Sequence, residues 1–245
     1  NYGAYTPEPA FRYTAHIEFN PSSGPLDFAW SNGGGSQFDS YHTLNSYWIT
    51  GEGYVGRTFS HGNRMSVSVP TPHAANTGAP TDIEFRVFGR SSQTHILQFD
   101  VNNNVQFTDT MASIYIKNRD LQYAGNINPT TELGFLALGP NNNNTDNNNF
   151  CWADVTYTRL FDLDNTGGLR MHQWSDVNSS YFRFENADIA SDGYVYDLRT
   201  RTRARGAATG TDFQVIVPGS SQARTLLVAT DKGILTPVIE VPAAS

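Results

Sequence analysis

The feature that most constrains this chain is a period-two alternation of apolar and polar residues, repeated in short runs along its length. In Arg12 to Phe19, Tyr13, Ala15, Ile17 and Phe19 alternate with Arg12, Thr14, His16 and Glu18, which predicts a strand with one buried face. Comparable runs are Tyr54 to Phe59, Met65 to Val69, Asp82 to Gly89, Thr94 to Val101, Ser113 to Ile116, Leu133 to Leu138 and Cys151 to Leu160. They continue through Leu169 to Trp174, Tyr181 to Phe184, Tyr194 to Arg205, Thr211 to Val217, Arg224 to Thr230 and Thr236 to Val241. Proline- and glycine-rich segments such as Pro21 to Pro25, Ser31 to Ser36, Pro70 to His73 and Gly78 to Pro80 separate them as turns. No dozen residues hold a sustained i, i+3, i+4, i+7 apolar stripe, which leaves room only for a short helix such as one around Ala187 to Ala190. The expected fold is therefore all-β, an antiparallel β-sandwich of jelly-roll type with long polar loops, with residues 1–245 as a single domain.

Composition agrees with pleated, turn-rich structure: aromatic residues make up 13% of the chain, with 21 Gly and 12 Pro. Only 16% of residues are charged, so the surface is covered largely by neutral polar groups. A formal net charge of −7 argues against the whole molecule acting as a polycation on nucleic acid, while leaving a local basic strip open. The one cysteine, Cys151, excludes an intramolecular disulfide, and its setting between Phe150 and Trp152 reads as a buried small hydrophobe. No apolar run is long enough for a bilayer-spanning helix, and the start at Asn1 reads as a processed or trimmed terminus. The run Asn141 to Asn149 has nothing to bury and reads as an exposed loop tip.

The usual chemical signatures are missing. Gly33 to Gly35 is not followed by the Lys-Ser/Thr of a phosphate loop, and no zinc-protease or serine-hydrolase motif occurs among the six histidines and the serines. No cofactor and no catalytic residue are expected, although His16 and His95 lie in strand patterns near carboxylates. Asp162 and Asp164, with Gly167 at the sixth position, partly match a calcium loop, but its twelfth position is Gln173 rather than Glu. Together with Asp100 to Asn104, this segment reads better as an Asx-rich turn. Asn143 to Thr145 and Asn178 to Ser180 fit the common glycosylation tripeptide.

The most informative charge pattern is Arg199, Arg201, Arg203 and Arg205, which an extended strand would place on one face. Such a row suits a polyanion, since each guanidinium donates two parallel hydrogen bonds to a phosphate or sulfate. It equally suits an edge strand or interface whose charges pair with neighbouring carboxylates.

The stretch Tyr194 to Gly219, and within it Asp212-Phe213-Gln214 leading to Pro218, resembles the end of picorna-like viral coat proteins. Val69-Pro70-Thr71-Pro72 followed by Thr81 to Val87 is similar to their alternation of proline-rich loops and β-branched strands. The resemblance implies a jelly roll, self-assembly with other coat subunits, contact with genome phosphates or a host receptor, and location in the virion. In that family a long N-terminal arm usually precedes the first strand, whereas here strand-like sequence begins at about Phe11. The alternative is an extracellular, lectin-like carbohydrate-binding module in which Trp30, Tyr47 or Trp48 stacks on sugar rings. A third possibility is a jelly-roll polysaccharide lyase or hydrolase.

Overall fold

The computed structural model describes residues 2–18, 58–139 and 146–233. Among these the regular structure is β-strand, apart from one 3-10 turn at Tyr2–Ala4. No described helix is long and apolar enough to cross a membrane. By its internal contacts the chain divides into two compact units, residues 14–157 and residues 1–13 with the segment from 158 onward.

The first of these units holds β1 (Phe11–Glu18) from Thr14 on, β2 (Arg64–Pro70), β3 (Thr81–Gly89) and β4 (Thr94–Val101). It continues with β5 (Asn104–Ala112), β6 (Tyr115–Tyr123), β7 (Thr130–Ala137) and β8 (Asn148–Arg159) up to Tyr157. Its two antiparallel sheets have the orders β1-β8-β3-β6 and β2-β7-β4-β5. Successive strands cross between sheets except at the β4–β5 hairpin, which is the jelly-roll arrangement of a β-sandwich. Asn102 and Asn103 both adopt positive φ between the paired residues Val101 and Asn104. That two-residue turn uses asparagine where a hairpin demands left-handed backbone. The inward faces of both sheets meet through aromatic residues. Phe85 and Phe99 stack at 4.5 Å between ring centroids, and Phe135 lies 5.2 Å from Phe99 and 5.3 Å from Phe150.

The other unit contains Phe11–Tyr13 of β1, then β9 (Gly168–Gln173), β10 (Ser180–Phe184), β11 (Asp192–Asp197), β12 (Thr202–Thr209), β13 (Asp212–Val217) and β14 (Arg224–Thr230). These form an antiparallel array in the order β10-β13-β12-β11-β14-β9-β1. A parallel bridge from Pro7 to Tyr181, with the Glu8 amide donating to the Tyr181 carbonyl at 2.9 Å, brings the segment before β1 against β10. The curled array therefore encloses its own core, in which Phe161 contacts Phe11, Phe182 and Phe184, and Phe184 stacks on Phe213.

Several expectations are corrected. The run Tyr194 to Arg205 is not one strand: the chain reverses between Asp197 and Thr202, with Arg201 at φ 57°. The Asp197 carboxylate makes this turn by accepting the amides of Arg199 and Thr200 at 2.9 and 3.1 Å. Strand β5 falls where no strand is expected, because Asn104 to Ala112 is mostly polar and only its hairpin partner supplies the other half of the pattern. Strand β6 begins near the expected Ser113 to Ile116 segment but runs to Tyr123. Ala187 to Ala190 forms no helix. Of Asn141 to Asn149, residues 141–145 lie outside the described residues, while Asp146, Asn148 and Asn149 are buried rather than exposed. Cys151 is half-buried. Of Tyr54 to Phe59 only the last two residues are described, with Phe59 in a bridge to Asn148, and Thr236 to Val241 lies outside the described residues.

Candidate functional site

The solvent face of the sheet β1-β8-β3-β6 carries the most concentrated chemistry of the jelly-roll unit. Strand β3 buries Ile83, Phe85 and Val87, so alternation sends Asp82, Glu84 and Arg86 outward. The antiparallel registers then set neighbours side by side. Asp82 faces Thr156 and Gln122, Glu84 faces Asp154 and Asp120, and Arg86 faces Trp152 and Asn118. Strand β1 adds Thr14, whose hydroxyl lies 2.8 Å from that of Thr156, and His16, whose Nδ1 lies 2.6 Å from Asp154 Oδ1.

Trp152 is on this face because of a β-bulge. Val87 pairs with Phe150 but Arg86 pairs with Trp152, so Cys151 is the extra residue. Without it, alternation from the buried Phe150 would turn Trp152 and Asp154 into the core. With it, Ala153, Val155 and Tyr157 are buried and Trp152, Asp154 and Thr156 face out. The indole is bracketed by polar groups: the Arg86 guanidinium lies 5.4 Å from its ring centroid and the His16 ring stacks at 6.4 Å.

The floor of the resulting groove is lined by Thr14, Asp82, Glu84, Asp120, Gln122, Asp154 and Thr156, around a volume of about 450 Å³. Gln122 Nε2 donates to Asp82 Oδ1 at 3.1 Å, and Arg86 Nε donates to Asn118 Oδ1 at 2.8 Å. The central row is Asp154, Glu84 and Asp120 on three adjacent strands. Like charges directly opposite one another disfavour a sheet, and here one end of the row, Asp154, is paired with His16. Chemically the groove offers a line of carboxylate acceptors, the Gln122 amide and two threonine hydroxyls, and the same sheet face carries the Arg86 guanidinium and the Trp152 indole in the next row.

The residues singled out in the sequence are dispersed. Arg199 and Arg201 lie in the β11–β12 turn, whereas Arg203 and Arg205 are on β12, so the four do not form one strand face. Arg203 stacks on Tyr194 at 4.6 Å, and Arg205 pairs with Asp192 at 2.6 Å. Trp30, Tyr47 and Trp48 lie outside the described residues. Asp162 Oδ1 accepts the Asp164 amide at 2.8 Å, and Asp164 and Asn165 take positive φ, which is the Asx-turn alternative to a calcium loop. Asp164 also pairs with Arg159 at 3.3 Å. Asp100 is likewise structural, accepting from Arg64 and from the Asn103 amide.

His95 is fully buried, with Nδ1 2.6 Å from Asp146 and Nε2 3.1 Å from the Ser91 carbonyl. Burial pushes the Asp146 carboxyl up, but hydrogen bonds from His95, Asn148 and the Gly139 amide outweigh it and hold the group below the usual carboxylate range. With both His95 ring nitrogens and both Asp146 carboxylate oxygens committed to fixed partners, this cluster is a staple between β4 and the entry to β8. The groove itself was half-legible: the polar alternates of β3 and β8 are plain in sequence, but their register and the bulge that aims Trp152 are not.

No protein-family model matches the chain, and no curated protein matches it. Among solved structures it is similar in fold to dimeric latent PorU from Porphyromonas gingivalis, at 12% identity and a TM-score of 0.56, over 92% of this chain and 20% of that one. The chain thus spans about a fifth of the protein it matches there. More distant matches are the CBM36-1 domain of a multidomain xylanase from the hindgut metagenome of Trinervitermes trinervoides, at 8% identity and a TM-score of 0.31, over 43% of this chain and 86% of that one. Another is a cycloisomaltooligosaccharide glucanotransferase from Paenibacillus sp., at 9% identity and a TM-score of 0.28, over 75% of this chain and 43% of that one.

Proposed function

We propose that the jelly-roll unit is a carbohydrate-binding module whose ligand lies in the groove on the β1-β8-β3-β6 face. The observation that carries this reading is the union of Trp152, turned outward by the Cys151 bulge, with the cross-strand rows of Asp154, Glu84, Asp120, Asp82 and Gln122. Sugars present hydroxyl groups at the ring edge and C–H groups on the ring face. Carboxylates accept from vicinal hydroxyls, Gln122, Asn118 and Arg86 donate to hydroxyl oxygens, and the part of the indole that stays exposed beside Arg86 and His16 packs against C–H groups.

A glycan array followed by calorimetry on the strongest hits tests this. Wild-type protein binds a defined glycan set, Trp152→Ala weakens binding by about 1–3 kcal/mol, and Glu84→Gln weakens it while unfolding at a similar urea midpoint. Silence across neutral and acidic glycans, or binding indifferent to both substitutions, overturns the reading.

The coat-subunit reading has one supporting observation, the jelly-roll strand order of residues 14–157. The stretch that carries its resemblance, Tyr194 to Gly219, forms β11 to β13 of the other unit. That reading requires self-assembly, so light scattering that finds a monomer at high concentration removes it, whereas defined shells or capsomers would favour it over glycan binding.

A further inference from the structure

The second unit presents a different surface. On β11, Gly193, Val195 and Asp197 are buried, so Tyr194 and Tyr196 face solvent. Register carries that face across neighbouring strands: Tyr196 is opposite Arg203 on β12 and Leu227 on β14, and Leu227 is opposite Arg170 on β9. In the next rows Tyr194 is opposite Arg205 and Ala229, and Thr225 is opposite His172, which is opposite Arg12. Among the described residues of these strands within this unit, the outward ones include four arginines and one carboxylate, Asp192, which pairs with Arg205; Asp231, just past the end of β14, accepts the Ala190 and Ser191 amides. Burial, and after it the Arg170 charge, push His172 below its usual value.

We propose that this face binds an anionic polysaccharide, with Arg170 on one flank and Arg203 and Arg205 on the other holding its carboxylate or sulfate groups. The flanks are three strand spacings apart, about 14 Å, and between them lies the apolar strip of Leu227, Tyr196 and Tyr194. A ligand complementary to that pattern alternates anionic groups with C–H-rich rings, as acidic glycans do. Arg203 is preorganised for the task, because stacking on Tyr194 leaves its planar edge free to present paired donors. A single-stranded nucleic acid fits less well: one face of Tyr194 is occupied by Arg203, and the Tyr194 and Tyr196 rings are tilted by 44° rather than forming a flat stacking platform. The proposal goes beyond the groove of the jelly-roll unit and uses none of its residues.

The test uses the full chain with three probes: a heparin octasaccharide, an oligogalacturonate of eight residues and a twelve-residue oligothymidylate. Binding is measured by calorimetry at two salt concentrations. Arg170→Ala and Arg203→Ala should each weaken binding of at least one glycan by about tenfold. Arg183→Ala removes an equal charge from an arginine paired with Asp212, outside the strip, and should change affinity by less than about twofold. Saturating glycan should also raise the titration midpoint of the His172 ring in proton spectra, a readout that loss of structure would not mimic. Preference for sulfate over carboxylate identifies the ligand chemistry within the proposal. Oligothymidylate binding tighter than both glycans, equal losses from Arg183→Ala and Arg203→Ala, or no glycan binding at physiological salt would each overturn it. Trp152→Ala reports on the groove separately, so either reading can fail alone.

Discussion

Arg224 concentrates more structural responsibility than any other charged side chain in its unit. It is buried with Asp197, their side chains 5% and 4% exposed, and it donates to Asp197 Oδ2 at 3.0 Å and to Gln173 Oε1 at 2.8 and 2.9 Å. A further donation to the Pro218 carbonyl ties together the ends of β9, β11 and β13. A pair this desolvated is costly to break, since removing one partner leaves an uncompensated buried charge. Asp197→Ala should therefore lower stability by about 3–5 kcal/mol, read as a fall in the urea midpoint at unchanged m-value. Gly206 is a second such position, for a steric reason. A Cβ there would meet the Gln214 carbonyl and the Phe213 ring, so Gly206→Ala should cost about 1–3 kcal/mol by separating β12 from β13. A loss below about 0.5 kcal/mol in either variant would show that the site relaxes more easily than its packing implies.

At the level of elements, what the sequence disclosed and what it hid follow from one distinction. Strands such as β3, β4 and β13 bury alternate apolar side chains, so their pattern is written in consecutive residues. Strand β5 is an exception, since most of its residues are polar and its place is fixed by pairing to β4. The bulge at Cys151 is equally hidden, because a single inserted residue leaves no compositional trace and yet inverts which of Trp152 and Ala153 is buried. The arginine series failed for a third reason: Thr200 and Thr202 favour extension, but Asp197 captures two following amides and reverses the chain before Arg203. Arg201 pays for that turn with a left-handed backbone at φ 57°. Arg201→Gly should relieve about 1–2 kcal/mol of strain and lose about 0.5–1 kcal/mol to unfolded-chain entropy, a net gain of up to about 1.5 kcal/mol in chemical denaturation. Because Arg201 is not on the β12 face, the same variant should bind the heparin probe as wild type does; a marked loss would restore a role for the turn arginines.

For the whole molecule, charge is divided unevenly and its pH response can be signed. Residues 14–157 hold six Lys or Arg against twelve Asp or Glu, whereas the rest of the chain holds ten against eleven. Each unit nevertheless contains carboxylates that folding holds below their usual range. Asp109 is lowered to about 2: burial acts to raise it, and hydrogen bonds from Arg119, Lys117 and the Thr110 amide prevail. Asp146 is lowered in the same unit, and Asp197 and Asp231 in the other. For Asp231 the chief cause is the Ala190 amide, and for Asp197 burial is outweighed by the Thr200, Arg224 and Arg199 donors. A depressed folded value means that the unfolded chain binds more protons, so stability rises with pH through the window between the two values. The contribution of each group is complete above the unfolded carboxylate value of about 4 and is lost as pH falls through its folded value, which for Asp109 is about 2. Urea midpoints should thus decline gently from about pH 7 to 5, where the lowered His172 contributes, and fall steeply between about pH 4 and 2. Asp109→Asn should be less stable than wild type at neutral pH, with the two curves converging toward pH 2. A gap between them that persists unchanged down to that pH would mean that Asp109 stabilises the β5–β6 edge by its shape and not by the ion pairs with Lys117 and Arg119.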